Sequence, residues 1–109
     1  MTIDESTFQN LAEETLVRLM DTLEEAVGDQ LDADLQGGIL TIDLDSGGQY
    51  VINKHAPNRQ IWMSSPVSGA SHFDSDGNGG WVATRSGGTL AAMLSAEISA
   101  ATGETVVLD

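Results

Sequence analysis

Between Tyr50 and Gly69 the chain reads YVINKHAPNRQIWMSSPVSG. Two strand-like runs, Tyr50–Lys54 and Gln60–Met63, flank a short turn that holds Pro57 and Asn58. In the second run Ile61 and Met63 alternate with Gln60, Trp62 and Ser64. Successive strand side chains point to opposite faces, so only one of these sets can enter a core. The aliphatic set is the better core candidate. A tryptophan, a glutamine and a serine then share the open face of a sheet. A large aromatic ring exposed among polar neighbours marks a surface that something binds. The expectation is therefore an exposed Trp62 between a buried Ile61 and a buried Met63.

The flanking sequence supplies the rest of a fold. A helix is expected from about Asp4 to Val27, capped by Asp4 or by Ser6 with Gln9 in capping-box spacing. Its buried stripe is Phe8, Leu11, Ala12, Leu16, Leu19, Leu23 and Ala26, and Gly28 ends it. Short strand candidates follow at Ala33–Gln36, Ile39–Leu44, Gln49–Lys54, Gln60–Met63, Ser71–Asp74 and Trp81–Thr84, separated by Gly-, Asn- and Pro-rich turns. A second helix over about Thr89–Ala101 buries Leu90, Met93, Leu94, Ile98 and Ala101, and Thr105–Leu108 reads as a last short strand. Helix, hairpin-connected strands, helix and strand in that order imply an α+β two-layer sandwich. An antiparallel sheet of about six to seven strands is covered on one face by the N- and C-terminal helices, and its other face is wet.

At 109 residues this is one domain, 1–109, with room for a modest core. No apolar run is long enough to span a membrane. The opening MTIDESTFQN is acidic and polar, unlike a signal or transit peptide. The chain has no cysteine, which excludes disulfides, thiolate metal ligands and a cysteine nucleophile. A formal charge of −13 argues against nucleic acid and for cations or a basic protein surface. That charge is uneven. Residues 1–45 carry twelve Asp and Glu against Arg18 alone, whereas residues 46–109 carry five against three basic residues. Plain solubility would spread it more evenly.

Glu14, Arg18, Asp21 and Glu25 form one stripe on the first helix, flanked by Glu13 and Glu24; Asp29, Asp32 and Asp34 carry the charge onward. Asp21 and Glu25 are like charges at i,i+4, a destabilising pair by about 0.2–0.5 kcal/mol. Glu24 and Glu25 near the helix C-terminus oppose the macrodipole by roughly 0.3–1 kcal/mol each. Local rules broken in this way without compensation often mark function. Carboxylates clustered without His or Cys suit hard, oxygen-seeking cations, iron included, held in an open and solvated site.

YVINK-x-x-PN-x-QIW-x-SSP-x-SG resembles the central sheet signature of the frataxin family. LAEETL (Leu11–Leu16), GGILTI (Gly37–Ile42), Trp81-Val82 and LSAEIS (Leu94–Ser99) fall in that family's order, over nearly the whole chain. The resemblance implies the same sandwich and a non-enzymatic accessory protein of iron–sulfur cluster assembly. Such a protein would bind the cysteine desulfurase and its scaffold protein, modulate sulfur transfer, and hold ferrous or ferric iron weakly and reversibly, with no organic cofactor. Asp21, Glu24, Glu25, Asp32 and Asp34 stand on the family's acidic ridge. Val17 and Gly28 stand where relatives often carry acids, with Asp29 a substitute for the second. Asn53, Gln60, Trp62 and His72 would form the partner-binding face, His72 at a position where relatives often carry a basic residue. Eukaryotic members are imported into mitochondria. The opening sequence suggests instead a bacterial, cytoplasmic member or a trimmed chain, and a monomer is expected when metal is absent. Longer relatives carry a C-terminal tail that packs on the helices, and the expectation is that this chain lacks one and has ordinary stability. The alternative reading is an iron oxidase, store or chaperone, with ferrous iron oxidised on the ridge; a ferroxidase centre normally adds His inside a packed site.

Other motifs fail. Asp74-Ser-Asp76-Gly-Asn78-Gly79 matches the first six positions of a calcium loop, but the twelfth is Arg85 and the flanks read as strands. His55 and His72 lack a second ligand at i+2 or i+4 and read as surface groups. No nucleophile elbow surrounds a serine, the glycine pairs lack phosphate-loop context, and Trp81 reads as core or its rim.

Overall fold

A computed structural model describes residues 4–85 and 87–108 of the chain. Helix α1 (Glu5–Val27) leads into strands β1 (Leu31–Gln36), β2 (Ile39–Leu44), β3 (Gln49–His55), β4 (Gln60–Ser65), β5 (Gly69–Ser75) and β6 (Trp81–Ala83); helix α2 (Leu90–Thr102) follows. The six strands form one antiparallel sheet in sequential order, with both helices on one face. This is the α+β sandwich that the element pattern implies, with six strands.

Asp4 caps α1, its carboxylate accepting the Thr7 N–H at 2.7 Å. Phe8, Ala12, Thr15, Leu16, Leu19, Leu23 and Val27 are buried, whereas Ala26 is exposed. The stripe thus ends on Val27 rather than Ala26. Four residues past Leu23 the helix has turned about 40° from it; three residues past, about 60° the other way. Gly28 is needed at the exit, because a Cβ there would collide with the Glu24 carbonyl.

Gly37 and Gly38, with φ of 59° and 79°, form the two-residue turn between β1 and β2. Both central residues are left-handed, the geometry that lets a tight hairpin keep the strands' twist. The turn sets the register: Gln36 opposes Ile39, so Asp34 opposes Thr41 and Asp32 opposes Asp43.

Leu40, Ile42, Tyr50, Ile52, Ile61, Met63 and Phe73 from the sheet meet the helices' apolar stripes. Trp81 is core: it meets Phe8 edge-on at 6.0 Å, and its indole N–H donates to Thr15 Oγ1 at 2.8 Å. Glu97 on α2 ties the helix to the sheet. Its carboxylate accepts from Tyr50 Oη (2.9 Å), Ser65 Oγ (2.5 Å) and Ser68 Oγ (2.7 Å). Burial first, then the bond to Glu97, pushes the Tyr50 phenol up to about 12.

Thr105–Leu108 is not a strand. Val106 and Leu108 are buried, as strand alternation requires, but the backbone's partners are helix hydroxyls. Ser99 Oγ donates to the Val106 carbonyl and accepts its N–H, and Ser95 Oγ accepts the Leu108 N–H. Residues 105–108 therefore pack on α2 instead of forming the expected last strand.

Candidate functional site

Two regions gather the residues of interest. The first is the open face of β3, β4 and β5. Asn53, Trp62 and His72 lie in one cross-strand row, and His55, Gln60 and Asp74 in the next. Ile61 and Met63 are buried at 0% and 1%, so the register follows from the alternation. Trp62 departs from expectation: it is half-buried, not exposed. Both faces of its indole are covered. His55 stacks on one side with ring centroids 3.6 Å apart and planes within 8°, His72 on the other at 4.1 Å and 9°. His72 is exposed and His55 half-buried, as surface groups are, but they are not alone: they form the outer layers of a three-ring slab.

Hydrogen bonds hold the slab in place. Trp62 Nε1–H donates to Gln60 Oε1 at 2.8 Å, and Gln60 Nε2 donates to Asp74 Oδ1 at 3.0 Å. One amide thus orients the indole and one carboxylate orients the amide. Beside the slab, the chain turns through one 3-10 turn, Ala56–Asn58, and Arg59 takes a left-handed conformation with φ 50°. The buried atoms His55 Nδ1 and Arg59 Nε have no hydrogen-bond partner among the described residues. A concavity of about 440 Å3 where β5 and β6 meet α2 is lined by Ser68, Ser71, His72, Thr84, Arg85 and Met93.

The second region is the acidic edge. Asp21, Glu24, Glu25, Asp29, Asp32 and Asp34 are all exposed. Glu24, Glu25, Asp29 and Asp32 line one shallow concavity of about 520 Å3 where α1 gives way to β1. Asp21 lies farther back along α1, beside a groove it shares with Glu13 and Glu14. Asp34 stands on the exposed side of β1. Glu13 is partly neutralised by Lys54, whose ammonium lies 3.4 Å from it and whose stem passes over Gly38. Among the described residues, no three His, Cys, Asp or Glu side chains converge into a preformed chelate. The donors are carboxylates alone, open to water. That set suits hard, oxygen-seeking cations.

Three participants escaped the sequence reading. Asp43 stands directly opposite Asp32 and carries the acidic edge across β2; counting back from the Gly37-Gly38 turn would have found it. His55 joins Trp62 diagonally across two strands, a contact that needs the β3–β4 register. Glu97 anchors the SSP-x-SG turn from α2, a partner 32 residues away from Ser65 that no local pattern reveals. The calcium-like loop is accounted for otherwise. Asp76 Oδ1 accepts the N–H groups of Asn78 (2.7 Å) and Gly80 (3.0 Å), closing the β5–β6 hairpin.

This geometry has counterparts among known proteins. The family model described as a frataxin-like domain matches residues 1–104. The mitochondrial frataxin of Arabidopsis thaliana is 40% identical over 112 residues, which cover 97% of this chain and 59% of that protein. The iron-sulfur cluster assembly protein CyaY of Neisseria meningitidis is 35% identical over 103 residues, 88% of this chain and 94% of that one. The chain spans little more than half the length of the plant relative but nearly all of the bacterial one. Among solved structures, the frataxin of Psychromonas ingrahamii superposes with a TM-score of 0.86 at 30% identity, covering 96% of this chain and 97% of that one. A trimeric Saccharomyces cerevisiae frataxin complexed with ferrous iron gives a TM-score of 0.75 at 37% identity, covering 95% and 90%.

Proposed function

This chain belongs to the frataxin family, and from that premise we propose that it is a non-enzymatic, iron-binding accessory protein of iron–sulfur cluster assembly. It binds the complex of cysteine desulfurase and scaffold protein in the bacterial cytoplasm and modulates sulfur transfer. The observation that carries this reading is the match to a relative named as a cluster-assembly protein over 94% of that relative's length.

The two regions divide the work. The acidic edge attracts iron and steers a basic partner surface, with Asp21, Glu24, Glu25, Asp29, Asp32 and Asp34 as the charge that does it. A frataxin crystallised with ferrous iron supports iron as the cargo. Exposed carboxylates that do not converge hold such a cation weakly and release it readily. The open face, with Asn53, Gln60, Trp62 and His72, makes the contact. An oxidase reading is less well supported, because the acidic edge offers neither histidine nor enclosure.

A titration calorimetry series tests the proposal. The chain is titrated into the host's cysteine desulfurase, with and without scaffold protein, at low and high salt. Binding that weakens with salt is expected, since exposed charges are screened beyond about 10 Å at 0.1 M. No heat with either preparation at either salt would sink the assignment.

A further inference from the structure

Strand β1 stands at the end of the sheet order and pairs only with β2. Its outer edge carries backbone groups with no strand beyond them. The neighbouring bonds identify those groups. Lys54 N–H donates to the Gly38 carbonyl and Leu44 N–H to the Gly48 carbonyl, so the even-numbered residues of β2 bond to β3. Along an antiparallel strand the backbone groups alternate sides, so Ile39, Thr41 and Asp43 bond to β1. Their partners there are Gln36, Asp34 and Asp32. The Asp45 N–H, donated to the Gln30 carbonyl, continues the same ladder. Leu31, Ala33 and Leu35 are left with their N–H and C=O groups turned outward.

A hollow runs along this edge. The concavity of about 520 Å3 touches Leu31 and Ala33 as well as Asp32. Asp32 is exposed on one side of the strand, whereas Leu31 is buried and Ala33 half-buried on the other. A space bordered by all three lies beside the strand rather than over one face. Its other wall is the end of α1, with Glu24, Glu25 and Ala26. An exposed sheet edge is a seat at which extended peptides are taken up as an added strand.

The side chains select the occupant. An added strand shares the pleat of β1, so its residues alternate between the two faces. Those on the open side meet Asp32 and Asp34. Those on the helix side meet Ala33 and Leu35, which pack against the core. A second copy of β1 would set these aspartates against the same acids, and like charges opposed across strands are destabilising. The acids that bar an identical strand favour a basic one. Asp43, exposed beside Asp32 on the next strand, adds to that preference.

We propose that the outer edge of β1 takes up an extended segment of a protein partner as an added strand, with Lys or Arg at alternate positions facing Asp32 and Asp34 and small apolar residues between them. The inference rests on the reading that the acidic edge meets a basic partner, and adds the backbone ladder that holds it.

The probe is a short blocked peptide in which lysine alternates with valine. Hydrogen exchange of the Leu31, Ala33 and Leu35 amides is followed in the full chain with and without it. These amides should exchange fast alone and slowly with peptide, to which they then donate. An added strand bonds to β1 through one alternate set of its own amides. Methylating that set should weaken binding roughly tenfold or more, and methylating the other set should change it little. Ala33→Pro removes an outward N–H and no β1–β2 bond, a place where an edge strand tolerates Pro. This variant should keep its native circular dichroism and lose the peptide; the methylated peptides decide the matter on wild type if it does not fold. Equal effects of the two methylation sets would mean that charge alone holds the peptide, and would overturn the inference. Equal binding of a glutamate–valine peptide would do the same. So would protection that grows with the chain's own concentration without peptide, which makes a second copy the occupant. The desulfurase–scaffold complex is then titrated with wild type and Ala33→Pro. A similar loss of affinity is expected, and an unchanged affinity would overturn the inference. If the complex binds neither chain while one methylation set alone blocks the peptide, the cluster-assembly reading fails and strand addition stands.

Discussion

The acidic edge and the three-ring slab handle their polar groups in opposite ways. At the acidic edge, Glu24, Glu25, Asp29 and Asp32 crowd a shallow concavity with like charges, and Asp32 faces Asp43 across the β1–β2 pair. Few of these groups have a partner to offset the repulsion. At the slab, the groups around the indole are engaged in sequence: indole to amide, amide to carboxylate, ring on ring. One region is held apart by electrostatics and the other is locked by geometry. A loosely held cation needs the first kind of site, since ordered ligands would trap it. A partner surface needs the second, because a side chain already fixed loses little rotamer freedom on binding.

Both regions stand on one support, the sheet clamped to α2 through Glu97, and the largest effect is expected where that clamp is broken. The Tyr50 phenol is raised from its ordinary value near 10 to about 12. The neutral phenol is therefore favoured in the folded state. Its contribution is complete below pH 10 and is lost as pH rises through about 12, at most roughly 3 kcal/mol. Chemical denaturation between pH 9 and 12 should show falling stability for wild type and a flatter profile for Tyr50→Phe. Parallel profiles would mean the phenol is not the titrating group.

Truncating the slab comes next. Buried aromatic anchors cost about 2 kcal/mol or more when removed, roughly thirtyfold in affinity. Trp62→Ala should lose that much affinity for the desulfurase–scaffold complex while circular dichroism remains native. An unchanged affinity would leave the slab a structural ornament and erase the contrast with the acidic edge.

At the acidic edge, a cation that binds only the folded chain adds about 1.4 kcal/mol at ten times its dissociation constant. In a domain this small, melting shifts by roughly 4–8 °C per kcal/mol. Ferrous iron under anaerobic conditions should therefore raise the midpoint by several degrees. The triple variant Asp21→Asn, Glu25→Gln, Asp32→Asn should melt higher than wild type without metal and respond little to iron. Equal iron responses would place the cation elsewhere.

The smallest effect sharpens the comparison most directly. Asp43→Asn removes the like charge opposite Asp32 and should stabilise by about 0.2–1 kcal/mol. The gain should shrink at high salt, where exposed repulsion is already screened. A gain that ignored salt would point to packing rather than charge.

How much of this was legible beforehand depends on the range of each interaction. The helices, the strand alternation and the buried set Ile61 and Met63 follow from periods of 3.6 and 2, which are local. The small error at Ala26 and Val27 is one step of that same periodicity. Asp43 was also within reach, since a two-residue glycine turn dictates which residues oppose each other. The strand misread at Thr105–Leu108 had the right alternation but the wrong partner, because alternation records which side is buried and not what donates to the backbone.

By itself, then, the sequence determined the layer order, the core face of each element, the uneven charge and the family. Each depends on spacing along the chain or on the simple count of charged groups. Only the tertiary structure decided that Trp62 lies between two imidazoles, that Glu97 holds the Ser65 turn, and that residues 105–108 rest on helix serines. Those contacts join residues far apart in the chain. Their existence depends on strand register and on how the helices settle over the sheet, which pairwise packing of whole elements sets.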